Sequence, residues 1–390
     1  MKVALVHDYL TRFGGAERVF FSLLEIFPKA DIYTLLYNEK KMGKYLNGRK
    51  VNTSFVQKLP FSRKYSRLFA PLMPSAIESL DMREYDLIIS SSTAFAKGLI
   101  IRPKTTHICY CHTPTRFVWD YAHQYDSRFS PLRKLLVHYL RIWDKSAANR
   151  VDYYIANSKT TAERIKKYYG RESEVIYPPV FCHSRGVKRA GFFAPLCSAQ
   201  NDRRKYFLIV SQLTPHKRID LAIKACNKLE IPLMIIGEGR DKRRLKKMAC
   251  SNVKFLGHQP DDVVRQFMQG CFAFVFAGED DFGIAPVEAM GYGKPVLAYR
   301  AGGATETVIE GVTGEFFDDP VPESLADGIR RLKINYENYN PEIISQQSQE
   351  FSQEIFNRNI KKFIIKTLEN DKRALLHRTK SAKNYVDKQH

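Results

Sequence analysis

The stretch CFAFVFAGEDDFGIAPVEAMGYGKPVLAY, residues 271–299, decides the fold. It opens on an unbroken apolar run, CFAFVFAG, of the kind that fits a strand covered on both faces. APVEAMGYG then reads as a short helix and PVLAY (295–299) as the next strand. Strand, helix and strand joined by short loops form a βαβ unit, whose strands run parallel. The same grammar recurs on either side. FLIVSQL (207–213) precedes IDLAIKACNKL, PLMIIGEG (232–239) precedes DKRRLKKMA, and VKFLG (253–257) precedes DDVVRQFMQ. Beyond PVLAY come ATETVIEG, then GEFF (314–317) and PESLADGIRRL. Six such repeats predict an α/β fold with a parallel, doubly wound sheet.

The first half has longer insertions in the same pattern. VALVHD, DIYTLLY, VNTSFV, DLIISS, HICYC and YYIAN read as buried strands, with VFFSLLEIF and TTAERIKKYYG as helices. Thr160 and Glu163 have the spacing of a capping box at the start of the latter. Residues 181–205 lack periodicity and follow Pro178-Pro179, which stops regular structure. The expected organisation is a Rossmann-like domain over 1–180, a hinge over 181–205 and a second Rossmann-like domain over 206–350. A basic, helical segment closes the chain over 351–390. Two doubly wound domains joined by a hinge would leave a cleft at the carboxyl ends of both sheets, where ligands bind in such folds.

Several function classes fall away. The chain has 390 residues with 44% hydrophobic and 26% charged, which suits globular domains and not disorder. Its seven cysteines include no C-x-x-C, so neither a disulfide framework nor a zinc site is suggested. Asp8 interrupts the first apolar run and no cleavage site follows it, and no apolar stretch approaches the ~18 residues that span a bilayer. The expectation is a cytoplasmic protein, soluble or peripheral. Net charge is +21, and the first 190 residues carry 32 basic against 16 acidic side chains. A polyanionic partner is therefore expected, chiefly for the first half. Nucleic acid is the disfavoured partner, because the basic residues form no recognisable nucleic-acid module.

Four constellations carry chemistry. Gly14-Gly15 follows the first strand and opens a helix; it reads equally as a phosphate-binding turn and as a tight strand-to-helix turn. In GEDDFGIAPVEAMGYG, Phe282-Gly283-Ile284-Ala285 would bring backbone amides to a helix start, a cradle for a diphosphate. Glu288, within that helix, could take a ribose, and Asp280, eight residues earlier, could bond sugar hydroxyls. The plainer alternative makes Asp280 or Asp281 an N-cap and Glu288 a surface acid. Lys217-Arg218 sits in the loop after the strand FLIVSQL, where cations at a helix start oppose the macrodipole unless an anion binds there. His112 ends the strand HICYC and could meet a sugar hydroxyl, or be a satisfied structural histidine. No D-x-D, H-E-x-x-H, G-x-S-x-G or Walker-type P-loop occurs, which removes zincins, α/β-hydrolases and P-loop NTPases. Separately, Lys58, Arg63, Lys64 and Arg67 alternate with Phe61, Tyr65, Leu68 and Phe69, and RFSPLRKLLVHYLRIW (128–143) does the same. Such mixtures suit an anionic membrane surface, the alternative being an amphipathic helix packed inward.

Taken in order, HDYL…GGAER (7–18), CHTPTRFVWD (111–120), IANS (155–158), VIYPPV (175–180), HKRIDLAI (216–223), GEGRDKRRL (237–245), FLGHQPDDVV (255–264), EDDFGIAPVEAM (279–290) and GGATETV (302–308) resemble the bacterial family 4 glycosyltransferases of the GT-B fold that build O-antigen and other surface polysaccharides. The resemblance implies a retaining, metal-independent transferase, a mannosyltransferase using GDP-mannose to extend a lipid-linked saccharide on the cytoplasmic face of the inner membrane. The alternatives are a UDP-sugar donor, or a hydrolase or epimerase on the same scaffold. It places the family's two acids on Asp280, with Glu279 beside it, and on Glu288. The diphosphate-binding lysine falls on Lys217, the glycine loop on Gly14 and Gly15, and the cleft histidine on His112. The resemblance has one serious departure. An arginine is usual five residues before the lysine, and this chain has Gln212, which carries no charge, so Arg218 is expected to compensate or turnover to be slow.

Overall fold

The computed structural model describes residues 1–63, 65–120, 131–180 and 206–386, the side chains of 372–386 excepted. The expected hinge, 181–205, and Lys64 therefore lie outside the described residues. The chain divides into two compact units, Met1–Pro179 with Gln353–His390, and Val180–Ser352.

In the first unit the elements run β1 (Val3–Leu10), α1 (Gly15–Ile26), β2 (Asp31–Tyr37), α2 (Glu39–Leu46), β3 (Val51–Thr53), α3 (Met73–Glu78), β4 (Leu87–Ser92), β5 (Thr106–Cys111), α4 (Pro131–Ala148), β6 (Tyr153–Ala156), α5 (Lys159–Tyr169) and β7 (Ser173–Val175). The seven strands are parallel in the order β3-β2-β1-β4-β5-β6-β7. Every residue of β4 and β5 is buried, as expected of central strands covered on both faces. Two local expectations are corrected. VNTSFV is a strand only to Thr53; a 3-10 turn over Phe55–Lys58 follows, because the Gln57 amide bonds both the N–H and the C=O of Tyr37 at the end of β2, at 2.9 and 3.0 Å. Helix α5 is capped by Ser158, whose hydroxyl accepts from the Thr161 N–H at 3.0 Å, and not by Thr160.

The second unit runs β8 (Phe207–Val210), α6 (Ile219–Leu229), β9 (Leu233–Ile236), α7 (Lys242–Met248), β10 (Val253–Gly257), α8 (Asp261–Gly270), β11 (Ala273–Phe276), α9 (Ile284–Gly291), β12 (Val296–Tyr299), α10 (Ala304–Thr307), β13 (Gly314–Phe317), α11 (Pro322–Ile334) and α12 (Pro341–Gln349). Its sheet is parallel in the order β10-β9-β8-β11-β12-β13. Both sheets reverse winding direction once, between β1 and β4 and between β8 and β11. Such switch points open a crevice at the strands' carboxyl ends, which positions a site in each unit.

The closing helix α13 (Gln353–Val386) belongs to the first unit. Phe356 and Ile360 join Leu5, Phe20 and Leu23 in one buried cluster, and the Ser22 hydroxyl donates to Gln353 Oε1 at 2.9 Å. Among the described residues no helix is long and apolar enough to cross a membrane.

Candidate active site

The loops after β8 and β11 meet at the second unit's switch point. After β8 the chain forms a 3-10 turn, Pro215–Lys217, and then enters α6 through Arg218 in the left-handed region, at φ +48°. A non-glycine residue held there costs on the order of 1 kcal/mol and marks a loop that its surroundings over-determine. After β11, Gly278 is buried against the turn: a Cβ on it would lie 2.7 Å from Lys217 Cα and 2.8 Å from the His216 carbonyl oxygen. Only glycine lets the two loops approach this closely. The approach brings the Lys217 ammonium onto both carboxylate oxygens of Asp280. Both side chains are about one-fifth exposed, at 19% each. The pair is thus partly withdrawn from water, where its attraction exceeds that of a surface pair.

The acidic loop is fixed from its other side by Gly302 and Gly303, whose part sequence reasoning missed. The Gly303 N–H donates to the Asp280 carbonyl at 2.9 Å, and a Cβ on Gly303 would sit 2.3 Å from Phe282 Cα. The signal was the adjacent glycine pair opening GGATETV. Helix α9 then starts with Gly283 as its N-cap at φ +86°, with no side-chain cap. This removes the reading of Asp280 or Asp281 as a simple N-cap. Phe282 is buried, while Ile284 and Ala285 are partly exposed on the first turn. Glu288 is one turn above Ile284 and on the same face of α9. Glu279 is exposed next to Asp280.

Gln212 is exposed, five residues before Lys217. Arg218 points elsewhere. Its Nη2 donates to the Pro320 carbonyl at 3.0 Å, and its Nε lies 3.7 Å from Asp220. In this conformation Arg218 braces the loop after β13 and supplies no second cation beside Lys217.

His112 and Gly14-Gly15 lie in the first unit. His112 follows β5, is 8% exposed, packs on Tyr110 at 5.1 Å and bonds Ser91 Oγ at 2.8 Å. Burial first, and His7 second, push its pKa down to about 3, so the ring is neutral at neutral pH. Gly14 is the N-cap of α1 at φ −162°, extended backbone that any residue adopts. A Cβ here would lie 3.0 Å from the Glu17 carboxylate, the far end of a flexible side chain that can shift. That acid already serves the positive end of α1, which favours the tight-turn reading of the glycine pair.

Two further groups went unread in the sequence. Asp8 does more than interrupt an apolar run. Its carboxylate accepts from the N–H groups of Thr93, Ala94, Phe95 and Ala96 and from the Thr93 hydroxyl, at 2.5–2.8 Å, and so holds the loop after β4. Below it the buried Lys97 ammonium meets Asp144 at 2.6 Å, and Asp144 also accepts from Thr115, Trp119 and Tyr169.

Comparison with known proteins now decides the class. Residues 13–183 match the family described as Glycosyltransferase Family 4, and residues 198–350 match Glycosyl transferases group 1. The chain thus carries a Glycosyltransferase Family 4 domain followed by a Glycosyl transferases group 1 domain. An uncharacterized glycosyltransferase of Methanocaldococcus jannaschii is 31% identical over 37% of this chain, which spans only 42% of that relative's length. The alpha-1,3/1,6-mannosyltransferase ALG2 of Dictyostelium discoideum is 23% identical over 64% of this chain and 67% of its own. HepE of Anabaena, solved in complex with UDP, superposes with a TM-score of 0.70 at 21% identity, over 94% of this chain and all of that one. The fold is GT-B.

Proposed function

We propose that this chain is a retaining, metal-independent glycosyltransferase, and that it moves mannose from GDP-mannose to a lipid-linked saccharide at the cytoplasmic face of an anionic membrane. One observation carries the reading. A lysine and a carboxylate, brought together by glycine packing, stand beside a helix start with glycine at its N-cap, at the switch point of the second sheet. The ammonium of Lys217 and the first-turn amides of α9 suit a diphosphate, whose charge grows as it leaves. Glu288 takes the ribose, and Asp280 and His112 take sugar hydroxyls. The acceptor oxygen attacks the anomeric carbon from the face that the diphosphate leaves, the carbon–phosphate oxygen bond breaks, and the departing phosphate oxygen receives the acceptor's proton. Mannose is supported by the similarity to ALG2, an alpha-1,3/1,6-mannosyltransferase.

The membrane part draws on the first unit's surface. Phe61, Leu68 and Leu72 are exposed beside Lys58, Arg63 and Arg67, and Leu132, Leu135 and Ile142 are exposed along α4. Helix α4 meets α3, the helix that follows the first stretch, where Trp143 Nε1 donates to Glu78 at 2.8 Å. Apolar side chains left in water among cations fit an anionic lipid surface.

The deciding experiment offers GDP-mannose, other GDP-sugars and UDP-glucose to the wild type, Lys217→Ala and Glu288→Ala, with and without a lipid-linked acceptor. Transfer by the wild type and its abolition in both variants is expected. Unchanged turnover in either variant would refute the site, and conversion of the donor at full rate without acceptor would favour a hydrolase or epimerase.

A further inference from the structure

A chain of four polar side chains runs through the first unit to His112. The parallel register sets His7 of β1 directly abreast of Ser91 of β4. Ser91 Oγ lies 3.0 Å from His7 Nδ1 and 2.8 Å from His112 Nε2. On the far side of the His7 ring, Nε2 faces the Glu17 carboxylate at 3.6 Å. Glu17 stands in the first turn of α1 with its side chain 12% exposed, and Gly14 leaves the space it occupies. His7 and Ser91 are fully buried, and Phe20 packs on the His7 ring at 5.2 Å.

With a neutral His7 ring, counting hydrogens leaves one consistent pattern. A neutral imidazole has one N–H, a hydroxyl has one O–H, and a carboxylate only accepts. A lone pair on His7 Nε2 would face the full negative charge of Glu17, so that nitrogen carries the ring's hydrogen. His7 Nδ1 is then an acceptor and takes the Ser91 hydroxyl hydrogen. Ser91 Oγ, having spent its hydrogen, can only accept from His112, so His112 Nε2 carries the N–H. The remaining nitrogen, His112 Nδ1, is left with its lone pair. Which nitrogen of a histidine is protonated follows from the bond the other one makes.

We propose that Glu17, His7 and Ser91 are positioning residues that hold His112 as the Nε2–H tautomer, presenting Nδ1 as a hydrogen-bond acceptor. The ligand group met by His112 must then be a donor. A sugar hydroxyl qualifies, whereas a phosphate or carboxylate oxygen would set lone pair against lone pair. This assigns His112 to the saccharide and excludes it from the diphosphate. The tautomer rests on this geometry with a neutral His7, and only the identity of the ligand rests on the transferase reading.

The test uses the full chain labelled with ¹⁵N-histidine and two-bond ¹H–¹⁵N correlation at neutral pH, with His112 assigned by its loss in His112→Gln. The wild-type His112 ring should show a protonated Nε2 and an unprotonated Nδ1. In Glu17→Gln, a surface-proximal change that leaves the sheet intact, His112 should become a mixture of tautomers. Transfer in that variant should fall about tenfold in kcat, the worth of one well-placed hydrogen bond, with the donor KM within about twofold. Ser91→Ala should uncouple the His112 signals from substitution at Glu17. A wild-type His112 protonated on Nδ1, the pattern that a doubly protonated His7 would impose, overturns the proposal, as does a His112 spectrum unmoved by Glu17→Gln. Absence of transfer by the wild type to any acceptor would sink the transferase reading while leaving the tautomer to be decided by the spectrum.

Discussion

Gly278→Ala is the sharpest probe of the switch-point site, because it adds one methyl group and replaces no charged residue. Gly278 does not sit at positive φ, so alanine is tolerated by the backbone itself. The added Cβ would lie 2.7 Å from Lys217 Cα, 2.8 Å from the His216 carbonyl oxygen and 2.9 Å from the Lys217 carbonyl carbon. All three are backbone atoms, which no rotamer change can move aside. Carbon atoms at ease sit about 3.5–4.0 Å apart, so the turn Pro215–Lys217 must retreat by about 1 Å. Overpacking of this kind costs about 1–3 kcal/mol, partly offset by about 0.4–1 kcal/mol from the stiffer unfolded chain. The protein should therefore fold with a net loss of about 1–2 kcal/mol, read by urea denaturation. Activity should suffer far more, since a displacement of about 1 Å at a reacting centre costs about 10²-fold. The assay is kcat/KM for the sugar nucleotide that the wild type uses. Gly43→Ala serves as control: it lies in α2 with its nearest neighbours at 3.5 Å, and should leave activity as it was. A folded Gly278→Ala enzyme within twofold of wild-type kcat/KM would show that the contact between these loops does not set the reaction geometry.

Two other perturbations test separate parts of the reading. Asp144→Ala leaves the Lys97 ammonium, whose side chain is 2% exposed, without its counter-charge. Burial works against that charge and Asp144 outweighs it, so the pKa of Lys97 stands above its ordinary value. Removing the acid should destabilise the first unit by about 3–5 kcal/mol, measured as a lower urea midpoint, and a loss below about 1 kcal/mol would refute the network's role. For the membrane surface, the wild type should sediment with phosphatidylglycerol vesicles and not with phosphatidylcholine vesicles, and Phe61→Ser/Leu68→Ser/Leu132→Ser should stay in the supernatant. Equal binding to both vesicles, or binding unchanged in the triple variant, would remove that surface from the proposal.

Periodicity made the strands legible because central parallel strands are covered on both faces, so β11 and β5 appear as short unbroken apolar runs. It also put Lys217 and Asp280 in loops at strand ends. Their direct pairing was not legible, since it spans 63 positions and depends on β8 lying beside β11 with Gly278 between the loops. Residue types are local, whereas partners depend on strand order and register.

The polar residues inside β1, β4 and β5 show how far that limit could be pushed. His7, Asp8, Ser90, Ser91, Ser92 and His107 interrupt runs that are otherwise apolar, and burying such groups without partners costs about 1–3 kcal/mol each. They must therefore satisfy one another or the backbone. In a sheet wound outward from β1 in both directions, the fourth strand lies beside the first and the fifth beside the fourth. That order alone pairs the strand of His7 and Asp8 with the strand of the three serines, and the serines with the strand that holds His107 and leads into His112. The observed bonds follow it: His7 to Ser91, Asp8 to the residues just past Ser92, Ser90 to His107 and Ser91 to His112. Polar residues in a buried strand are thus the positions at which a doubly wound topology, once inferred, becomes a statement about named side-chain contacts.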